Sequence, residues 1–121
     1  MILFVYGTLR RGKSNHHLMA GAEYLGDAVT LPKYRLHDLK LYVVMVQDEA
    51  AGDAVPGELF RVGDRLLAEL DTFEGHPDLF RRTPVELADG KPAEAYLYAR
   101  PIAAATLSAT TVSRPKATVR N

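Results

Sequence analysis

The sequence predicts an α+β fold whose curved, mixed β-sheet closes into a small barrel. Three observations lead there. The chain has 121 residues, enough for one compact domain with one core. Several short strand-type segments are separated by Gly, Pro and Asp punctuation. Only one segment, just after residue 63, carries a clear helical repeat.

Ile2 to Tyr6 is an unbroken apolar run ending at Gly7, the pattern of a central strand covered on both faces. Its end delivers Tyr6-Gly7-Thr8 into a turn. Beyond the basic loop Arg10-Arg11-Gly12-Lys13, Ser14 or Asn15 can cap a short helical turn through Leu18 and Met19. Strand-type residues recur at Glu23-Tyr24-Leu25, at Tyr34-Arg35-Leu36-His37 and from Leu41 to Val46. The polar, small residues from Gln47 to Asp53 suit an exposed hairpin loop, and Val55 to Val62 follows as a strand with a broken start. Asp64 can then cap a helix whose apolar residues Leu66, Leu67, Leu70 and Phe73 share one face. That helix should stop at Gly75, because glycine suits a left-handed cap and Pro77 cannot continue the helix. Thr83 to Leu87 and Ala93 to Tyr98 flank Asp89-Gly90, which favours a tight reversal between paired strands. From Ile102 onward no apolar period is visible. The reading is therefore one domain over 1–100 and a weakly ordered tail over 101–121.

Composition narrows the function classes. Fifteen basic residues balance fifteen acidic ones, so no net field draws the chain to nucleic acid or to an anionic membrane, and a small-molecule partner is expected. With no cysteine, disulfides, thiolate metal sites and a cysteine nucleophile are excluded. His16, His17, His37 and His76 show no ligand spacing with carboxylates, so no metal is expected. No stretch reaches the roughly 20 apolar residues of a membrane span, and the short apolar start lacks the layout of a signal peptide. A cytoplasmic location is the default expectation, with monomer and homodimer both open.

Two features carry chemistry. Glu74 lies in the last turn of the predicted helix, where the negative end of the helix dipole disfavours a carboxylate and raises its pKa. An apolar setting near Phe73 or Phe80 would raise it further, towards values useful for proton transfer. Alone, however, a glutamate at a helix end is more often simply solvated. The loop Tyr6-Gly7-Thr8-Leu9 is the second feature, since backbone N–H groups released at a strand end can hold an anion or an oxyanion. Alone it is equally a plain turn. Arg10, Arg11 and Lys13 read as a solvated basic loop.

In combination the two are more specific. Val5-Tyr6-Gly7-Thr8-Leu9-Arg10-Arg11-Gly12 with Asn15-His16, followed later by Leu70-Asp71-Thr72-Phe73-Glu74-Gly75-His76-Pro77, resembles the γ-glutamylcyclotransferase (AIG2-like) family. Pro56-Gly57-Glu58-Leu59-Phe60 is similar to the family's Gly-Glu-aliphatic-aromatic strand, and Arg82 with Val85 to the strand after its catalytic helix. The resemblance spans residues 2 to about 98. It looks most like the branch acting on γ-glutamylamines.

The resemblance implies a small β-barrel with flanking helices and an intramolecular aminolysis that needs no cofactor. The α-amine of a γ-glutamyl group attacks its own γ-carbonyl, forming 5-oxoproline and expelling the attached amine or amino acid. Glu74 matches the family's catalytic glutamate, which shuttles the protons. Tyr6, Gly7, Thr8 and Leu9 match its substrate-binding segment, and Tyr98 is similar to aromatic pocket residues of relatives, though a core or rim tyrosine fits it equally. Two positions depart from the family pattern: Tyr42-Val43 replaces a Tyr-Pro pair, and Phe80 replaces a tyrosine. The alternative is a non-catalytic protein that binds a small acidic metabolite on the same fold.

Overall fold

The N-terminal apolar run becomes strand β1 (Ile2–Val5), the middle strand of a five-stranded sheet. The computed structural model describes residues 1–40, 42–102 and 118–119. After β1 come a 3-10 turn (His16–Met19) and strands β2 (Glu23–Val29), β3 (Tyr34–Asp38), β4 (Tyr42–Gln47) and β5 (Pro56–Arg61). Helix α1 (Asp64–Glu74), the hairpin strands β6 (Phe80–Glu86) and β7 (Pro92–Tyr98), and the short β8 (Thr118–Val119) complete the order.

The larger sheet runs β2-β5-β1-β7-β6 and is mixed: β1 is antiparallel to β5 and parallel to β7. The smaller sheet runs β3-β4-β8, with β8 parallel to β4. The α+β class is as the sequence predicts, but the expected barrel does not close. Among the described residues, the edges β2 and β6 meet only at and just beyond their last residues, at the Thr30–Leu87 bridge and its flanking bonds Leu31 N–H to Glu86 O and Ala88 N–H to Val29 O, both 2.9 Å. Closure needs edge strands paired along their length. Pro84 lies within β6 and offers no N–H, and β2 shifts register between Tyr24 and Gly26, where Gly26 takes a φ of 133°.

Two local expectations are corrected. Asp64 does not cap α1; it is the first helical residue, and Gly63, which has no side chain to bond the helix start, is the cap. Asn15 does precede the 3-10 turn but makes no capping bond, because its Nδ2 instead donates to Thr8 Oγ1 at 2.9 Å. At the other end, Gly75 adopts the left-handed cap (φ 66°) and its N–H bonds Thr72 O, as its sequence position predicts. The β6–β7 hairpin turns through Asp89-Gly90, with β6 beginning at Phe80, three residues before the expected Thr83. Most of the proposed tail, 103–117 and 120–121, lies outside the described residues.

The single expected core is two clusters, one on each face of the large sheet. β1 shows the division: Phe4 and Tyr6 enter one cluster with Met45, Leu59, Val85 and Leu97, while Leu3 and Val5 enter the other with Phe60, Leu70, Phe80 and Tyr96. Alternation along a strand turns successive side chains to opposite faces, so a strand apolar at every position must be covered twice. Helix α1 and the 3-10 turn cover the second face. Gly57 in β5 allows β1 to pass closely: a Cβ there would collide with the Val5 carbonyl and lie 2.6 Å from the Phe4 ring.

Candidate active site

The buried stripe of α1 is not the one its apolar residues suggest. Leu67, Leu70 and Glu74 lie at i, i+3 and i+7, and Leu70 and Glu74 are both within 1% of full burial. Phe73, the expected last member of that face, is only half-buried, and Glu74 takes its place. A solvated helix end is thus excluded for Glu74. Its carboxyl is held inside the helix-side cluster, at the end of the helix where the backbone dipole is negative.

Asp71, one turn earlier, is the centre of a polar network. Both of its carboxylate oxygens accept from Arg82, Nε to Oδ1 and Nη2 to Oδ2, each at 3.0 Å. Arg82 Nη1 also donates to Glu94 Oε1 at 2.8 Å, and the Arg82 backbone N–H donates to His76 Nδ1 at 3.1 Å. The Tyr96 phenol donates to Asp71 Oδ1 at 2.6 Å. Burial opposes the Asp71 charge, yet the hydrogen bonds from Arg82 and Tyr96 outweigh it and hold its pKa below the ordinary value. The same Asp71 carboxylate raises the Arg82 pKa further. Burial first, then the bond to Asp71, raises the Tyr96 pKa, and the Glu74 charge adds to that rise, so Tyr96 stays a neutral donor within reach of the Glu74 field.

Tyr96 also connects the helix end to the first loop, for its backbone carbonyl accepts the Tyr6 hydroxyl at 2.6 Å. Beyond buried Tyr6 the loop is held by its carbonyls. Gly7 O accepts from Arg10 N–H at 3.1 Å and Arg10 Nε at 3.0 Å, Thr8 O from Asn15 N–H at 3.0 Å, and Leu9 O from His16 Nδ1 at 2.8 Å. Within a trans peptide the C=O and the following N–H point in opposite directions. With Gly7 O and Thr8 O turned towards residues 10–15, the N–H groups of Thr8 and Leu9 are directed away from that segment. Gly7, Thr8 and Leu9 are all buried.

Tyr98, two residues beyond Tyr96, lies on the same face of β7. Its ring meets Phe80 edge-on at 5.6 Å, and Phe80 in turn contacts Tyr42 at 6.1 Å. Burial, then the proximity of Tyr42 and a hydrogen bond with it, raises the Tyr98 pKa. The two departures from the family pattern thus differ in setting: Phe80 is the centre of this aromatic group, and Val43 is buried in β4.

The site residues read from the sequence are Glu74, Tyr6, Gly7, Thr8, Leu9 and Tyr98. The structure joins Tyr6, at the head of the loop, to the Tyr96 backbone, bonds the Tyr96 phenol to Asp71 one turn before Glu74, and places Tyr98 on the same strand face. Sequence reasoning gave no role to Asp71, Arg82, Glu94 or Tyr96. A signal for Asp71 existed: it lies four residues after Leu67 and three before Glu74, hence on the buried face. The basic loop is partly engaged rather than solvated, since Arg11 stacks 3.5 Å over the Tyr24 ring and its N–H bonds Glu58 at 2.9 Å. Among the described residues no three His, Asp or Glu side chains gather as metal ligands, and no helix is long and apolar enough to cross a membrane.

Comparison with known proteins gives these residues a context. The sequence profile of the family "Gamma-glutamyl cyclotransferase, AIG2-like" matches residues 3–113. A Vibrio cholerae protein provisionally named a γ-glutamylcyclotransferase is 39% identical over 97 residues, covering 80% of this chain and 81% of that protein. Gamma-glutamylaminecyclotransferase A of Danio rerio is 33% identical over 108 residues, covering 79% and 66% respectively. The crystal structure of an AIG2-like protein from Mus musculus superposes with a TM-score of 0.68 at 28% identity, covering 88% of this chain and 81% of that one. The chain belongs to the γ-glutamyl cyclotransferase, AIG2-like family, and is an enzyme of that type.

Proposed function

We propose that this enzyme cyclises the γ-glutamyl group of a γ-glutamyl amine or amino acid to 5-oxoproline, with Glu74 as the proton shuttle. The observation that carries the proposal is the complete burial of a carboxyl at the C-terminal end of α1, in a helix that is joined through Asp71 and Tyr96 to Tyr6 at the head of the first loop. Burial and the helix dipole both favour its neutral form, which brings the carboxyl towards the range where it can accept and return a proton.

The substrate binds with its α-carboxylate and γ-carbonyl against the N–H groups of the Tyr6–Leu9 loop, which compensate the negative charge. Glu74 takes one proton from the α-ammonium, and the freed amine forms a C–N bond to the γ-carbonyl carbon. The oxyanion collapses, the bond to the departing nitrogen breaks, and Glu74 returns its proton to that nitrogen. The ring nitrogen gives up its second proton to the departing amine, which leaves as an ammonium. Nucleophile and electrophile belong to one molecule, so holding the chain folded supplies much of the rate. Tyr98 and Phe80 form an aromatic wall beside the helix end. The similarity to an aminecyclotransferase supports including γ-glutamyl amines in the substrate class.

The test is Glu74→Gln assayed for 5-oxoproline release from a panel of γ-glutamyl amines and amino acids. Turnover should fall by about 10²–10⁴-fold while the fold is kept. Undiminished turnover would exclude Glu74 as the shuttle.

A further inference from the structure

We propose that Arg82, with Asp71, is a positioning unit that fixes the location of the Glu74 carboxyl and sets the charge around it. This rests on the reading of Glu74 given above. Two elements converge on the Arg82 guanidinium, α1 through both Asp71 oxygens and β7 through Glu94, while the Arg82 backbone N–H holds the turn after the helix through His76. The same turn is closed from the helix side, where His76 N–H bonds Asp71 O at 2.9 Å. Arg82 therefore clamps the segment 71–76 from both sides, and Glu74 is inside it. A bidentate fork fixes a carboxylate in direction as well as distance, which a single ammonium cannot do.

The charge argument follows from what surrounds the helix end. The ionisable groups bonded into the network at the helix end are Asp71 on α1, His76 in the turn, Arg82 on β6, and Glu94 and Tyr96 on β7, with Tyr98 on β7 and Tyr42 on β4 in the same cluster. Arg82 is the cation among the charged members of that network and stands against Asp71 and Glu94; its side chain and that of Asp71 are each only 21% exposed. Asp71, which Arg82 holds at both oxygens, lies one helical turn before Glu74, so the charge of the pair is set beside that residue. Removing the cation leaves Asp71, one helical turn from Glu74, and Glu94 beyond it without their counter-charge, and so favours the neutral form of Glu74. Removing Asp71 does the reverse.

The experiment titrates the Glu74 carboxyl by carbon-13 NMR in the substrate-free protein, alongside the pH–rate profile. In Arg82→Met the Glu74 titration and the acidic limb of turnover should both move up by about one pH unit, and in Asp71→Asn both should move down. Arg82→Lys keeps the charge and loses the fork. It should leave the titration within a few tenths of a unit while kcat falls about tenfold and KM changes less than about twofold. Glu94→Gln, at the outer edge of the network, should lower the titration slightly, and it carries the charge test if the first two variants do not fold. A merely structural role lowers the melting temperature without moving the titration. That outcome, or full kcat in Arg82→Lys, overturns the proposal. Because the titration needs no substrate, a failure of the cyclotransferase reading shows separately, as an absence of 5-oxoproline from the unaltered enzyme.

Discussion

The two faces of the large sheet are built from the same strands and are chemically opposite. The inner cluster is apolar, and the hydroxyls it contains end on backbone: Tyr6 on Tyr96 O, and Tyr34 as acceptor of the Glu86 N–H at 2.9 Å. The helix-covered face holds Glu74, Asp71, Arg82, Glu94 and Tyr96 among its leucines. Buried charge is costly unless it is paired and hydrogen-bonded, so a fold that confines it to one face keeps the other free for stability. The lesson is a division of labour: apart from Tyr6, which leads into the first loop, substitutions on the inner face should act on folding alone, and those on the helix face on turnover and its pH dependence as well.

The sharpest test of that division is Glu74→Gln, with its expected loss of about 10²–10⁴-fold in turnover and a melting temperature that holds or rises, since a buried acid becomes a neutral amide. Its counterpart on the inner face is Phe4→Ala. Unfolding in denaturant should show a loss of about 3–5 kcal/mol, while the turnover of the remaining folded protein stays near normal. A comparable loss of turnover per folded molecule would break the comparison.

Asp71→Asn should cost about 2 kcal/mol at neutral pH, because hydrogen bonds from a charged Arg82 and from Tyr96 are weakened. The sign of its pH dependence follows from a folded-state pKa below the unfolded one. The stabilisation is fully present above the ordinary Asp value of about 4 and is lost as pH falls through the folded value. Denaturation curves of the variant and the parent should therefore converge in acid. Gly57→Ala, between the two faces, should destabilise by about 1–3 kcal/mol through its clash with β1. The smallest effect belongs to the periphery: Lys33→Met removes the 2.8 Å pair with Glu86 at a half-exposed site and should change stability by under about 1 kcal/mol.

Much of this plan was legible in the sequence. The helix and its stop at Gly75, the Asp89-Gly90 hairpin, the doubly covered first strand and the loop after it all depend on neighbouring residues. Turn chemistry and side-chain period act over a few positions. Glu74 and the Tyr6–Leu9 loop were legible only jointly, because each alone has a commoner structural use. The rest was hidden for a physical reason. Arg82 meets Asp71 and Glu94 across eleven and twelve residues of chain, and Tyr96 meets Asp71 across twenty-five, through sheet pairing that no local pattern encodes. The rotation of α1 that buries Glu74 in place of Phe73 is likewise set by the strands beneath it.

The sequence by itself determined the family, the α+β class, the helix that carries the glutamate and the loop after the first strand. Only the tertiary structure decided that the barrel stays open along β2 and β6, that the core is divided by β1, and that a single arginine clamps the end of the helix. Those outcomes are settled by long-range packing, where the desolvation of a few charges selects which partners must meet.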